Sequence, residues 1–294
     1  MNINFYFRPN HDERVWHKIA GWYALEDAIG IVSSLGHKVY LNHEGKVDLT
    51  IYWDALEYCA LVKHPVSPHF VRLAGWSEVD PPSCYDRLAD ADTVLCVSRE
   101  VESFVHRQWG DRTAHIPTSI DPSLMYPSNE IGEGWCFVGA MYNAKGVRIM
   151  AETGMEIDCY GEYESLPKGL GWLQSPASLG KLRPFGHTEH DRMGDVYRSH
   201  QYFIQLSHKE GGSCAVREAM ACGLPVVVTR TGDNSLFVGG SGILLPVNPP
   251  VSLILEAVEA LEQADYNSLR EQSISSVRQF CTEAVKELWR QVLS

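Results

Sequence analysis

Nowhere does this 294-residue sequence approach the ~20 consecutive apolar residues needed to cross a bilayer. Its start, MNINFYFRPNHDE, lacks a basic segment followed by an apolar one, so no secretory signal is read there. A soluble cytoplasmic protein is the resulting expectation. Basic residues are also in deficit: 25 Lys and Arg stand against 37 Asp and Glu, a formal net charge of −12. The deficit is even, because residues 1–127 carry 11 basic and 17 acidic side chains and the remainder carries 14 and 20. A surface that tracks nucleic acid or an anionic membrane needs the opposite excess, so both partners are disfavoured. No C-x-x-C pair occurs among Cys59, Cys84, Cys96, Cys136, Cys159, Cys214, Cys222 and Cys281. Most lie in apolar contexts, which excludes a disulfide framework or a cysteine zinc site and predicts buried, reduced thiols. One spacing suits a metal, His187-x-x-His190, but it has no partner ligands nearby in sequence and reads as a pair of solvent-exposed loop histidines.

What the sequence does have is an alternation of β-rich runs with helical periodicity. Strands are predicted at Ile3–Phe7, Lys38–Leu41, Leu49–Trp53 and Thr93–Val97. A long helix is predicted from about Arg14 to Leu35 and another over Arg99–Trp109, with Ser98 as its N-cap. The segment IPTSIDPSLMYPSNEIGEG, with Pro117, Pro122 and Pro127, then interrupts the pattern as an extended connection. Alternation resumes with strands at Trp135–Val138, Glu156–Tyr160, Tyr202–Leu206 and Pro225–Thr229. Helices are placed from Ala144, over Glu189–Ser199 and over Ser213–Cys222. Val251, Ile254, Ala257, Val258 and Leu261 share one face of a further helix, and two more helical stretches follow. The fold class is therefore α/β, in two doubly wound parallel-sheet halves with a cleft between them. The expected domains are residues 1–127 and 128–278, with a C-terminal helix, 279–294, returning to the first.

In such sheets ligands bind beyond the carboxyl ends of the strands. Two strand-to-helix loops have the composition for it. In VGAMYNAKG, Gly139 admits a close backbone approach and Lys145 can neutralise a phosphate, although a lysine near a helix start is commonplace. In SHKEGGSC, the chain turns through Gly211 and Gly212 into a helix whose free N–H groups suit an anion. Glu210 lies just before that helix and Glu218 two turns inside it. A carboxylate can hold a vicinal diol; equally, Glu210 can merely favour the helix N-terminus and Glu218 be solvated.

The stretch EGGSCAVREAMACGLPVVVTRTGDN, Glu210–Asn234, resembles the E-x7-E signature of GT-B glycosyltransferases, in particular glycosyltransferase family 4. ADADTVLCVS, SIDPSLMYP, the FVG and KG opening of the second half, and GSGILLPVNPP follow in family order, so the resemblance spans roughly residues 85–294. It implies a GT-B fold, two Rossmann-like domains facing a central cleft, and an enzyme that moves a sugar from a nucleotide-diphosphate sugar to an acceptor with retention and without a metal. No cofactor is implied; the donor is a co-substrate, with UDP-sugars the family's commonest choice. The acceptor, whether glycan, lipid, protein or small molecule, is not legible. By the resemblance Lys145 contacts the donor diphosphate, Glu218 the ribose and Glu210 the transferred sugar. Gly139, Gly211 and the amides around Gly212, Ser213 and Cys214 meet sugar or phosphate oxygens.

Departures from the family pattern leave alternatives. Ala140 stands where the family has arginine, with Arg8, Arg14, Lys18 or Lys209 as possible substitutes, and Leu236 replaces a glutamate. Arg8-Pro9-Asn10-His11 takes the place of the glycine pair after the first strand. The first-domain sugar-facing histidine has only His64, His69 and His115 as candidates. A degenerate sugar-nucleotide-binding protein, a GT-B enzyme doing epimerisation or phosphorolysis, and a GT-B enzyme acting on a modified DNA base are the competing readings.

Overall fold

The computed structural model describes residues 1–7, 20–53, 55, 58, 68–74, 87–141, 143–162 and 179–294. They fall into two compact units, Met1–Ser119 with Thr282–Ser294, and Ile120–Cys281. The division differs from the expected breaks at 127 and 278 for a physical reason. Ile120 donates its N–H to the Phe280 carbonyl and pairs with Cys281, and both Ile120 and Met125 are buried in the second unit's core. From Ile120 onward the proline-rich connection is thus part of the second unit.

In the first unit, β1 (Asn2–Tyr6), β2 (Lys38–Leu41), β3 (Leu49–Tyr52), β4 (His69–Leu73), β5 (Thr93–Cys96) and β6 (Thr113–His115) form a parallel sheet in the order β2-β1-β3-β4-β5-β6. Every residue of β3 is buried, as expected of a parallel strand covered on both faces. Helix α1 (Ala20–Ser34) presents Ala24, Leu25, Ala28, Ile31 and Val32, spaced as one apolar face, to a core that includes Ile3, Phe5 and Ile51. The predicted start of this helix at Arg14 lies outside the described residues. Helix α2 (Arg99–Trp109) is capped by Ser98, whose hydroxyl accepts from the Val101 N–H at 3.2 Å, a contact of the kind worth about 1 kcal/mol.

The second unit holds β7 (Trp135–Val138), β8 (Ile157–Tyr160), β9 (Leu182–Gly186), β10 (Tyr202–Gln205), β11 (Val226–Thr229) and β12 (Gly242–Leu245), all parallel, in the order β12-β11-β10-β7-β8-β9. Around them lie α3 (Val147–Glu152), α4 (His190–Arg198), α5 (Cys214–Ala221), α6 (Asn234–Phe237), α7 (Val251–Gln263) and α8 (Tyr266–Ser276). Of the predicted α7 face, Ile254, Ala257, Val258 and Leu261 are buried. The last helix, α9 (Thr282–Val292), gives Val285 and Trp289 to the first unit's core.

Cys96, Cys136, Cys159 and Cys222 are buried free thiols, and Cys214 and Cys281 are half-buried. Burial pushes the Cys159 and Cys222 thiols up to about 12 and raises Cys136 well above its ordinary value, so these groups stay protonated and inert. Cys59 and Cys84 lie outside the described residues. Among the described residues no helix is long and apolar enough to cross a membrane.

Candidate active site

Strand order decides where a ligand can sit. From β7 the chain runs outward through β8 and β9, then returns to pair β10 on the other side of β7. The loops leaving β7 and β10 therefore diverge from adjacent strand ends, which is the topological switch point of a doubly wound sheet. Both loops singled out from the sequence begin here.

The β7 loop is built to project Lys145. Gly139 adopts φ +150°, and its carbonyl packs so closely on Gly161 that a Cβ there would lie 2.0 Å away. Met141 is fully buried and anchors the turn to the core. A single 3-10 turn, Asn143–Lys145, closes with the Gly146 N–H on the Asn143 carbonyl. His208 ties this turn to the β10 loop by donating its N–H to the Ala144 carbonyl at 2.8 Å. Gly146 sits at φ +75° with Leu206 O only 2.2 Å from the place a Cβ would take. Gly146→Ala is therefore expected to cost about 1–3 kcal/mol in backbone strain and to move Lys145. Chemical denaturation checks this: an unchanged midpoint would show that the turn tolerates a side chain.

Lys145 Nζ donates to Glu210 Oε1 at 2.7 Å, and Ser207 Oγ donates to the same oxygen at 2.6 Å. The Glu210 residue is only 9% exposed, while the Lys145 side chain keeps 22%. The β11 loop backs this arrangement, since Gly232 packs on Gly211 O and Glu210 Cβ, and Thr229 Oγ1 donates to Ser207 O at 2.6 Å. Glu210 is thus a buried, twice-bonded carboxylate rather than a mere helix-start preference.

Helix α5 begins after Ser213, which is 3% exposed and whose hydroxyl neither caps the helix nor bonds elsewhere among the described residues. The Cys214 amide, expected to face a ligand, instead donates to the Gly212 carbonyl at 2.9 Å. That local bond arises because the chain folds tightly through Gly211 and Gly212 before entering the helix. Gly211 and Gly212 themselves remain half-buried.

Glu218 lies on α5 with its side chain 14% exposed and is not the solvated residue of the bland reading. Its Oε1 is 3.1 Å from His190 Nε2, and its Oε2 accepts from the Tyr197 hydroxyl at 3.1 Å. The expectation of exposed loop histidines is therefore corrected: His190 opens α4 and faces a carboxylate, with its side chain only 30% exposed. His187 is likewise largely covered. Sequence reasoning gave His190 no role beyond an exposed loop residue and passed over Tyr197 and Ser207. The only available signal was the seven-residue spacing of His190 and Tyr197, which puts them on one helix face.

Lys209, Arg8, Arg14 and Lys18 were the residues proposed to compensate for Ala140. Lys209 is exposed, and Arg8, Arg14 and Lys18 lie outside the described residues, as do Pro9, Asn10 and His11. Leu236 is 61% exposed on α6. His69 is a buried residue of β4, 2.9 Å from the Tyr58 hydroxyl and 3.5 Å from Asp92. His115 is half-buried on β6, and His64 lies outside the described residues. Among the described residues no group of three or more His, Cys, Asp or Glu side chains is arranged to hold a metal ion.

Residues 133–263 match the family model of the group 1 glycosyl transferases. No curated protein sequence matches the chain. Solved structures do. HepE from Anabaena, determined with UDP, superposes with a TM-score of 0.77 at 14% identity, covering 100% of this chain and 99% of that one. Sucrose-phosphate synthase from Thermosynechococcus elongatus gives 0.78 at 14% identity over 99% of each chain. AviGT4, a glycosyltransferase involved in avilamycin A biosynthesis, gives 0.67 at 15% identity over 99% of this chain and 96% of that one. The fold is therefore GT-B, as the signature implied.

Proposed function

We propose, from the premise that residues 133–263 form a group 1 glycosyltransferase domain within a GT-B fold, that this protein transfers a sugar from a nucleotide-diphosphate sugar to an acceptor. The carrying observation is the Lys145–Glu210 pair at the switch point, beside the start of α5. Bond cleavage at the anomeric carbon builds negative charge on the departing diphosphate and positive charge on the sugar. Lys145 and the positive end of α5 lie where the first of these charges is held. Glu210 faces the transferred sugar, and Glu218 the ribose. With a fixed cation and a helix terminus on the leaving group, the reading needs no metal or cofactor. Retention at the anomeric carbon, a family-4 affiliation and a cytoplasmic location complete it. Support for a uridine donor comes from HepE, which was determined with UDP-glucose.

A thermal-shift panel of UDP-, GDP- and ADP-sugars tests the reading. One donor, expected to be a UDP-sugar, should stabilise the folded protein by about 2.7 kcal/mol at a hundredfold excess over Kd. No shift with any of them would sink the proposal.

A further inference from the structure

The two hydrogen bonds on Glu218 go beyond what a diol-binding carboxylate needs in order to exist. They fix its plane. His190 and Tyr197 are separated by about two helical turns on one face of α4, and long side chains on a helix lean toward its N-terminus. Tyr197 therefore reaches back toward His190, and the pair meets both oxygens of one carboxylate on the neighbouring α5. Tyr197 is fully buried, with its ring set edge-on to Phe203 of β10 at 6.1 Å between centroids. Burial, then the Glu218 charge, pushes its hydroxyl well above the usual tyrosine value, so it remains a donor. An ionised carboxylate only accepts, so the His190 nitrogen facing Glu218 is the one that carries a proton.

A carboxylate offers about four lone-pair positions. Among the described residues one on each oxygen is taken, leaving one on each for a ligand. Two acceptors a carboxylate-width apart match two adjacent hydroxyls. We infer that His190 and Tyr197 are positioning residues that orient Glu218 to recognise the 2′,3′-diol of the nucleotide ribose. The inference rests on the reading of Glu218 given above and adds to it a discrimination of ribo- from deoxyribonucleotides.

The experiment is calorimetric titration of UDP, 2′-deoxy-UDP and inorganic pyrophosphate into the wild type and into His190→Ala, His190→Gln, Tyr197→Phe and Glu218→Ala. Wild type should prefer UDP over its deoxy analogue by about tenfold or more, the scale of one hydrogen bond to a charged group. His190→Ala and Tyr197→Phe should each cut that preference to within about threefold while leaving pyrophosphate affinity unchanged. His190→Gln, whose amide also donates, should restore part of it. Tyr197→Phe keeps the buried ring, so it tests the hydroxyl without opening a cavity. Full preference retained in both His190→Ala and Tyr197→Phe, with loss in Glu218→Ala, overturns the inference and leaves the ribose reading standing. Full preference in Glu218→Ala removes that reading, and the inference falls with it. A parallel fall in pyrophosphate affinity would mark general loosening of the unit and would likewise overturn positioning.

Discussion

Lys145→Ala should lower turnover by roughly 10²–10³-fold, the cost of removing one preorganised donor from a developing oxyanion. Its effect on UDP binding should be smaller, on the order of 1.5–3 kcal/mol, because leaving-group charge peaks in the transition state. Two features make the loss severe. Ala140 supplies no charge next to the turn, and Glu210, only 9% exposed, would keep its carboxylate with the cation gone. A diphosphate would then approach an uncompensated anion rather than an empty surface. Steady-state kinetics beside calorimetry on UDP separates the two effects. A fully active Lys145→Ala enzyme would show that the diphosphate is held elsewhere. Ala140→Arg is the converse: a vacant slot predicts tighter UDP binding, and a slot already served by another cation predicts a neutral or harmful change.

Glu210→Gln should also cripple turnover, yet with the opposite signature on binding. Its contacts with the sugar strengthen as the glycosidic bond breaks, so kcat falls while nucleotide affinity is spared. The ion pair adds a sign to that expectation. Lys145 is engaged by Glu210 at 2.7 Å, and a neutral amide holds it less tightly, leaving its charge for phosphate. UDP affinity should therefore hold or rise. A kcat within about threefold of wild type, under ~1 kcal/mol, would reject the role. Because Lys145 and Glu210 touch, their effects should not add, and the double variant measures the coupling.

The helix and strand periods carried much of this architecture, for reasons visible in particular residues. Ile254, Ala257, Val258 and Leu261 repeat at helical spacing because α7 has one buried side. β9 escaped notice because Pro184 breaks its pattern, and proline is tolerated there because β9 is an edge strand. β4 escaped because His69 and Arg72, both buried, make it read as polar. Glu210, Lys145 and Glu218 were singled out from spacing and resemblance. The contacts they make were not legible. His190 stands 28 residues from Glu218 in sequence, and Lys145 stands 65 from Glu210, so only the packing of α4 on α5 and of the β7 loop on the β10 loop reveals either contact.

The route of the chain through its two units bears on how the molecule is made. Residues 1–119 are made before the second unit, but their core is completed by Val285, Trp289 and Leu293, which are made after it. The second unit, Ile120–Cys281, is continuous and needs nothing made after it. The earlier-made sheet therefore waits, with the apolar surface destined for Trp289 uncovered, until Thr282–Ser294 has been made. For the same reason Val285, Trp289 and Leu293 belong to the first unit's hydrophobic core, and a chain stopped before Thr282 would leave the N-terminal sheet without them.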